Sequence, residues 1–515
     1  MLTGCGSGFG ARVLSRFDVD LSVRADGVSI DIAPKTHPTP AARADRTPDS
    51  APTPPDSPPD ASPEPVALPT SPPATQAIPL TQPTAAPRTA PAAQSPLAEY
   101  PADLAIAWMD LALHLVQTTP GYSPPVAART FGYLGITLYE TLQPGLPDHA
   151  TLAGQLQGLD SLPVPQATEN AHWPLAANHA LAQALRYYFP TTTVENQQAI
   201  AALEENTFAR LYRQGDDATI AQATAWGETI AQAVYAWSTE DGGHQGYLRN
   251  FPSTYHTPTA TGSWVSTPPA YAAALLPYWG ENRPFVLPAG DACPSPPPVA
   301  YSELPGSDFY AQALEVYEVG RNRTAEQIAI AQFWSDDPGN TATPGGHWMS
   351  ILSQALTREQ AKLPLAAEAY ARLGIALNDA FITCWHTKYD HNVVRPITYI
   401  QTVIDPNWNI THSIDPVGTP PFPEYTSGHS VQSSAAAAVL TALFGPDYAF
   451  TDDTHAQLGL APREFSSFEA AAQEAAISRL YGGIHYRMAI EAGLDQGACV
   501  AASVNQLVLA QDGDQ

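Results

Sequence analysis

The chain is poor in cysteine, in positive charge and in long apolar runs. Its 515 residues include four cysteines, Cys5, Cys293, Cys384 and Cys499. None falls in a C-x-x-C pair, so a zinc knuckle or thioredoxin-like redox chemistry has no support. Buried or free thiols are expected, with one disulfide among the last three cysteines left open. Lys and Arg total 23 against 50 Asp and Glu, a formal net charge of −27. So acidic a chain repels nucleic acid and anionic lipid, which argues against both as partners. It does not argue against an anionic substrate, provided that a few cations are gathered in one pocket. No apolar run reaches the roughly eighteen residues that a transmembrane helix needs.

Proline is what the chain has in excess, 52 residues, dense over 34–98 among Ala, Thr and Ser. Such a segment buries too little apolar surface to fold and reads as a disordered, extended linker. Residues 1–33 precede it. Met1-Leu2-Thr3-Gly4-Cys5 looks like the end of a bacterial lipoprotein signal, without the charged and apolar regions that usually lead into one. With the tether, it suggests an exported, surface-held protein whose lipid anchor sits on Cys5. Phe17, Val19, Leu21 and Val23, then Val28, Ile30 and Ile32, alternate on either side of Ala25-Asp26-Gly27, the pattern of a β-hairpin.

From 99 to 515 the apolar spacing is helical, beginning with Leu104, Trp108, Leu111 and Leu115. Further helices are predicted over 126–142, 174–189, 195–213, 217–237, 307–333, 365–384, 428–444, 466–481 and 485–510. Pro and Gly clusters at 251–306 and 405–427 interrupt them. The predicted fold class is all-α, a multi-helix bundle forming one domain over 99–515.

Three segments carry chemistry. In Trp385-His386-Thr387-Lys388 to Arg395-Pro396, the two cations are about two helical turns apart and are predicted to share a helix face. An ammonium with a guanidinium fork suits an anion with several oxygens. Phe422 to Ser427-Gly428-His429 leads into an Ala-rich run and reads as a helix start, where free N–H groups attract oxyanions. Ser427 adds a hydroxyl donor, Gly428 permits close backbone approach, and His429 titrates near neutrality and moves protons. In Ser478-Arg479 to His485, the Gly482-Gly483 pair breaks one helix and lets Arg479 and His485 turn into one cavity.

Taken together, K-x6-R-P, S-G-H and S-R-x5-H resemble the superfamily that unites vanadium-dependent haloperoxidases with type 2 phosphatidic acid phosphatases. The likeness is close over 385–487 and covers the rest of the helical region by fold class. It implies vanadate as cofactor, with phosphate fitting the same place. It also implies hydrogen peroxide, a halide and a small organic acceptor as substrates, and, by analogy, a homodimer. On this resemblance His485 is the metal ligand. Lys388, Arg395, Ser427, Gly428 and Arg479 surround the oxyanion, His429 takes a proton from hydrogen peroxide, and Lys388 polarises peroxide toward the halide.

Trp385 and Phe422 resemble the chloroperoxidase residues at those positions, the latter replacing a histidine of algal bromoperoxidases. Phe333-Trp334-Ser335-Asp336-Asp337 resembles the haloperoxidase stretch whose acid pairs with the third-motif arginine. This implies Asp337, or in second place Asp336, on Arg479; a helix-terminal turn before Pro338-Gly339 would explain the acids as well. One position departs: Ala489 stands where relatives carry an Asp four residues after the last histidine. Support for His485 then falls to Glu491 or a backbone carbonyl. Two other readings remain: an acid phosphatase in which His485 attacks phosphorus and His429 protonates the leaving group, and an inactive tethered surface protein. His386, Asp390 and His391 read as solvated or capping residues, His347 as a loop residue, and Tyr481 and Tyr486 as core.

Overall fold

A computed structural model describes residues 17–24, 27–34, 96–166, 168, 171–211, 217–408 and 418–510. The chain divides into two units, Met1–Arg88 and Thr89–Gln515. The predicted hairpin forms in the first: β1 (Phe17–Arg24) pairs antiparallel with β2 (Gly27–Pro34), Val19 opposite Ile32 and Leu21 opposite Ile30. The lipoprotein-like start and most of the proline-rich linker lie outside the described residues.

The second unit is helical, as predicted. α1 (Asp103–Thr118), α2 (Pro124–Leu142), α3 (Trp173–Tyr188), α4 (Val194–Leu211) and α5 (Asp217–Ser238) come first. A long irregular connection follows, then α6 (Asp308–Arg321), α7 (Ala325–Phe333), α8 (Thr343–Arg358), α9 (Leu363–His391) and α10 (Pro396–Val403). The bundle closes with α11 (Gly428–Phe444), α12 (Phe468–Tyr481) and α13 (Arg487–Val504). A short hairpin of β3 (Phe450–Asp452) and β4 (Arg463–Phe465) joins α11 to α12. No helix among the described residues is long and apolar enough to cross a membrane.

Helices α2 and α9 form the centre. Every residue of α2 from Pro125 to Leu142 is buried, and each large apolar side chain so placed contributes about 1.5–3 kcal/mol. Their backbones touch, because a Cβ on Gly374 would lie 2.8 Å from the Cα of Gly132. The charge that α2 buries is matched. Arg129 Nε donates to Asp241 at 2.6 Å and Tyr133 Oη to the same carboxylate at 2.8 Å. A buried ion pair with its hydrogen bonds satisfied avoids most of the penalty of an isolated charge.

The long connection is pinned to the core at two points. The backbone N–H groups of Phe285, Val286 and Leu287 donate to Asp379 of α9 at 2.7, 2.9 and 3.2 Å. Cys293 is disulfide-bonded to Cys499 of α13, with Cα atoms 5.8 Å apart. This replaces the free-thiol expectation for those two; Cys384 alone is a buried free thiol among the described cysteines.

Two helix predictions need correction, and two further helices were not predicted. The expected 307–333 helix is two, because Asn322 caps α6 and Thr324 opens α7 with a capping box to Gln327. The 365–384 helix runs on to His391. α8 was hidden by Pro344-Gly345-Gly346, which reads as a turn but occupies the first turn of a helix, where a missing N–H costs nothing. His347 is therefore not a loop residue: it lies on α8 and is buried. The short α10 was not foreseen at all.

Candidate active site

The last turns of α9 carry Trp385 and Lys388. The helix then stops: Asn392 adopts a left-handed conformation at φ 49°, which Asn tolerates better than most residues. Arg395 is the residue that precedes α10. So Lys388 and Arg395 do not share a helix face as predicted; Arg395 reaches in from the connection beyond the helix end. Ser427 caps α11, its hydroxyl accepting from the N–H of Ser430 at 3.4 Å, and Gly428 is the first helical residue, as expected. Arg479 sits in the last turn of α12. Gly483, at φ 71°, turns the chain, and His485 lies in the link just before α13 rather than opening it. α11 and α13 approach closely here, since a Cβ on Gly493 would lie 2.7 Å from Ser430 Cβ and 3.0 Å from the Ser427 carbonyl oxygen.

These elements bring the predicted residues together. His429, Arg479, His485, Gly428, Trp385, Phe422, Asp336 and Asp337 all line one cavity of about 710 Å³. Its outer wall is apolar, with Tyr122, Phe251, Leu275 and Phe381. Lys388, Arg395 and Ser427 lie behind the wall, each fully buried.

Arg395 donates from Nε to the Phe422 carbonyl at 2.8 Å and from Nη1 to the Ile484 carbonyl at 2.9 Å. Its Nη1 is also 3.2 Å from His485 Nε2. Arg479 Nη1 lies 3.1 and 3.4 Å from the two ring nitrogens of His429. Buried N–H groups remain without a partner: Arg395 Nη2, and Nε and Nη2 of Arg479. Orphaned guanidinium donors at full burial are costly, and an oxyanion between them would satisfy them. The chemistry of the donor set therefore fits a vanadate- or phosphate-like group.

Lys388 behaves differently from expectation. Its ammonium donates to the carbonyls of Pro423 and Glu424, each at 3.0 Å, and of Thr426. An ammonium has three donors, so all are engaged in holding the loop that carries Phe422 to Ser427. Burial pulls its pKa down to about 7. Phe422 lies between the two cations, 5.0 Å from Lys388 Nζ and 4.9 Å from the Arg395 guanidinium, and 4.9 Å from the Trp385 ring. These ring-face contacts are favourable for desolvated cations.

The support for His485 comes from a residue that sequence reasoning missed. Glu424 Oε1 is 2.8 Å from His485 Nδ1 and accepts the Tyr486 N–H at 2.8 Å. Glu491, the carboxylate expected there, instead faces Arg487 on the surface. The Ala489 carbonyl accepts the Ser427 N–H at 3.0 Å and so holds the second motif, not His485. A carboxylate among Phe422, Pro423 and Tyr425 is an unusual neighbour, and that was the available signal. Burial raises Glu424 to about 7 against the pull of Arg395 and Lys388. Burial and the surrounding cations hold His485 well below its ordinary range, as a neutral imidazole.

Burial, then the adjacent Arg479, lowers His429 to about 4, with Asp336 opposing. The acidic pair divides its work. Burial raises Asp337 to about 6, opposed by Arg479, which it faces electrostatically. Asp336, at φ 52°, turns instead toward histidines: 2.9 Å from His347 Nδ1, 2.9 Å from His455 Nε2 and 3.7 Å from His429 Nε2. Neither acid explains itself as a helix-terminal turn alone. Tyr486 is core, as expected.

An all-α bundle with a buried, cation-rich oxyanion cradle beneath an apolar cavity defines a class of enzyme-like folds. Residues 368–511 match the family described as the VCPO second helical-bundle domain. A bacterial vanadium-dependent iodoperoxidase structure is 36% identical, with TM-score 0.73, covering 81% of this chain and 99% of its own. The chain belongs to the vanadium-dependent haloperoxidase superfamily. Two bacterial vanadium-dependent chloroperoxidase structures, holo and apo, are each 14% identical with TM-score 0.58, and share the fold. They cover 76% and 80% of this chain, and 93% and 99% of their own. No curated protein matches.

Proposed function

We propose that the protein is a vanadate-dependent haloperoxidase that oxidises a halide with hydrogen peroxide to a hypohalous species. The observation that carries this reading is the set of partnerless buried N–H groups on Arg395 and Arg479 beside a neutral His485. Arg395, Arg479, the Ser427 hydroxyl and the Gly428 N–H at the start of α11 would hold the oxyanion. His485, with its Nδ1–H donated to Glu424, presents the lone pair on Nε2 as metal ligand. Bound vanadate would supply a Lewis-acid centre that activates peroxide without haem or redox cysteine.

The chain's own residues do the rest. His429 Nε2 faces Arg479 Nη1 at 3.1 Å and the Asp336 carboxylate at 3.7 Å, and the neutral ring would accept the proton of hydrogen peroxide. Low basicity keeps that imidazole neutral, and so ready, at neutral pH. Arg479 stabilises negative charge beside it. Lys388 acts through the loop it pins and, in place of direct contact with peroxide, fixes Phe422 and Ser427. Trp385 and Phe422 wall the site against water. Since the 36%-identical relative is described as an iodoperoxidase, iodide is the halide proposed here, with the chloroperoxidase-like Phe422 the reason to test chloride as well. A disulfide is at home in an oxidising compartment, which supports export.

The test is paired. Protein loaded with orthovanadate is assayed for peroxide-dependent oxidation of iodide, bromide and chloride, and metal-free protein for hydrolysis of an aryl phosphate. Halide oxidation is expected. Hydrolysis that vanadate merely inhibits, with no halide oxidation, would overturn the reading in favour of a phosphatase in which His485 is the nucleophile.

A further inference from the structure

Behind Asp336 lies a buried chain that the chemistry above does not use. His347 Nδ1 is 2.9 Å from Asp336 Oδ1, and its Nε2 is 2.8 Å from Asp452 Oδ2. His455 Nε2 meets the same Asp336 oxygen at 2.9 Å. Trp334 stacks on the His347 ring at 4.4 Å, and Phe333 packs edge-on against both His347 and His455. His347, Asp336 and Asp452 are essentially inaccessible to solvent.

A neutral imidazole donates from one nitrogen only. His347 faces a carboxylate with each, so either the ring is charged or a carboxyl is protonated. Both carboxylates are acceptors elsewhere: Asp452 Oδ1 takes the Thr454 N–H at 3.0 Å, and Asp336 Oδ1 also takes His455. Hydrogen bonds accepted from other donors favour the ionised form of each acid. A charged ring then donates to an ionised carboxylate from each nitrogen.

We propose that His347 is a permanent imidazolium clamped between Asp336 and Asp452, and that this Asp452–His347–Asp336 chain, with His455, is a positioning device that keeps Asp336 ionised and aimed at His429. The charged and titratable groups facing His429 are Arg479, Asp336, His347 and His485. Without the brace the Asp336 carboxylate is free to swing to Arg479, and His429 loses the negative charge that faces it. Loss of a carboxylate that orients a catalytic imidazole lowers turnover strongly while the ring stays in place. The left-handed backbone at Asp336 fits a residue held where its contacts require it.

The consequence for turnover rests on the peroxidase reading, but the charge on His347 and the placement of Asp336 do not. The full chain is labelled with 15N-histidine and studied with His347→Gln and Asp452→Asn, the second guarding against misfolding of the first. At pH 8, one imidazole should show both ring nitrogens protonated, and its signals should vanish in His347→Gln. In wild type the His429 ring signals should report the ionised Asp336 beside them, and both variants should shift those signals. In halide oxidation, kcat should fall about tenfold or more, with KM for halide within about twofold.

An unprotonated nitrogen on His347 at pH 8 overturns the proposal. So do unchanged His429 ring signals in folded variants, or unchanged kcat in an active enzyme. Asp336, His347 and His455 also place one ligand atom each within 4.8 Å, so one equivalent of zinc retained by the purified protein and lost in His455→Ala would equally overturn it, the rings then being metal ligands. A wild type without halide oxidation sinks the peroxidase reading, and the two spectroscopic results still decide this one.

Discussion

Glu424 and His485 are 61 residues apart in sequence and 2.8 Å apart in space. This contact takes the place of the acid that is absent at Ala489. Second partners of a metal-binding histidine orient the ring and raise its basicity, and their removal typically lowers metal affinity roughly 10–100-fold. Glu424→Ala is therefore expected to weaken vanadate binding by that factor, measured by titration calorimetry or by competition with phosphate. Glu424→Gln, which keeps a hydrogen bond, should lose less. Equal binding by Glu424→Ala and wild type would remove Glu424 from the site.

Arg479 predicts a trade between stability and binding. Its Nε and Nη2 are buried without partners, and an unsatisfied buried donor costs about 1–3 kcal/mol. Arg479→Met should raise the thermal midpoint of the anion-free protein and abolish the upward shift that vanadate or phosphate gives wild type. A variant less stable without anion and equally protected by it would show that the orphaned donors do not face the ligand.

Much of this site was legible because its chemistry demands scarce residues. In a chain with so few cations, Lys388, Arg395 and Arg479 stand out, and S-G-H before an Ala-rich run marks a helix start. Glu424 was not legible, since its partner is distant and its own neighbours carry no periodic signal. Asp336, His347 and the Asp452–His455 segment come from three separate places, α8 being concealed by its Pro-Gly-Gly start. The reach of Arg395 was misjudged for a related reason: spacing by seven implies one face only while the helix continues, and it ends at His391. Pairings made by tertiary packing leave little trace in local pattern.

The disulfide ties the connection before α6 to α13, the helix that packs on the start of α11. A native disulfide typically contributes about 2–4 kcal/mol, largely by restricting the unfolded chain. Cys293→Ala with Cys499→Ala should lower the denaturation midpoint accordingly, and reductant should do the same to wild type alone. Cys384, buried beside Lys388, should stay unreactive to thiol reagents until the protein unfolds. A reagent that labels it in the native state would contradict the burial.

The brace around His347 also makes a prediction about pH and stability. Burial alone would lower this imidazole, but Asp336 and Asp452 outweigh it and raise the folded value from 6.5 to about 10. A group raised on folding holds an extra proton in the folded state between its two values. Its stabilisation is complete below 6.5 and is lost as pH rises toward about 10. Asp336 and Asp452 contribute in the opposite sense, since His347 and the hydrogen bonds they accept hold both below the ordinary carboxylate value despite burial. Their share is present above that value and is lost in acid. Stability should thus decline from neutral pH toward pH 10, and the decline should flatten in His347→Gln once the brace is gone. Denaturant midpoints of wild type and variant across pH 6–10 measure this directly. Parallel curves would mean that His347 is not charged in the folded protein.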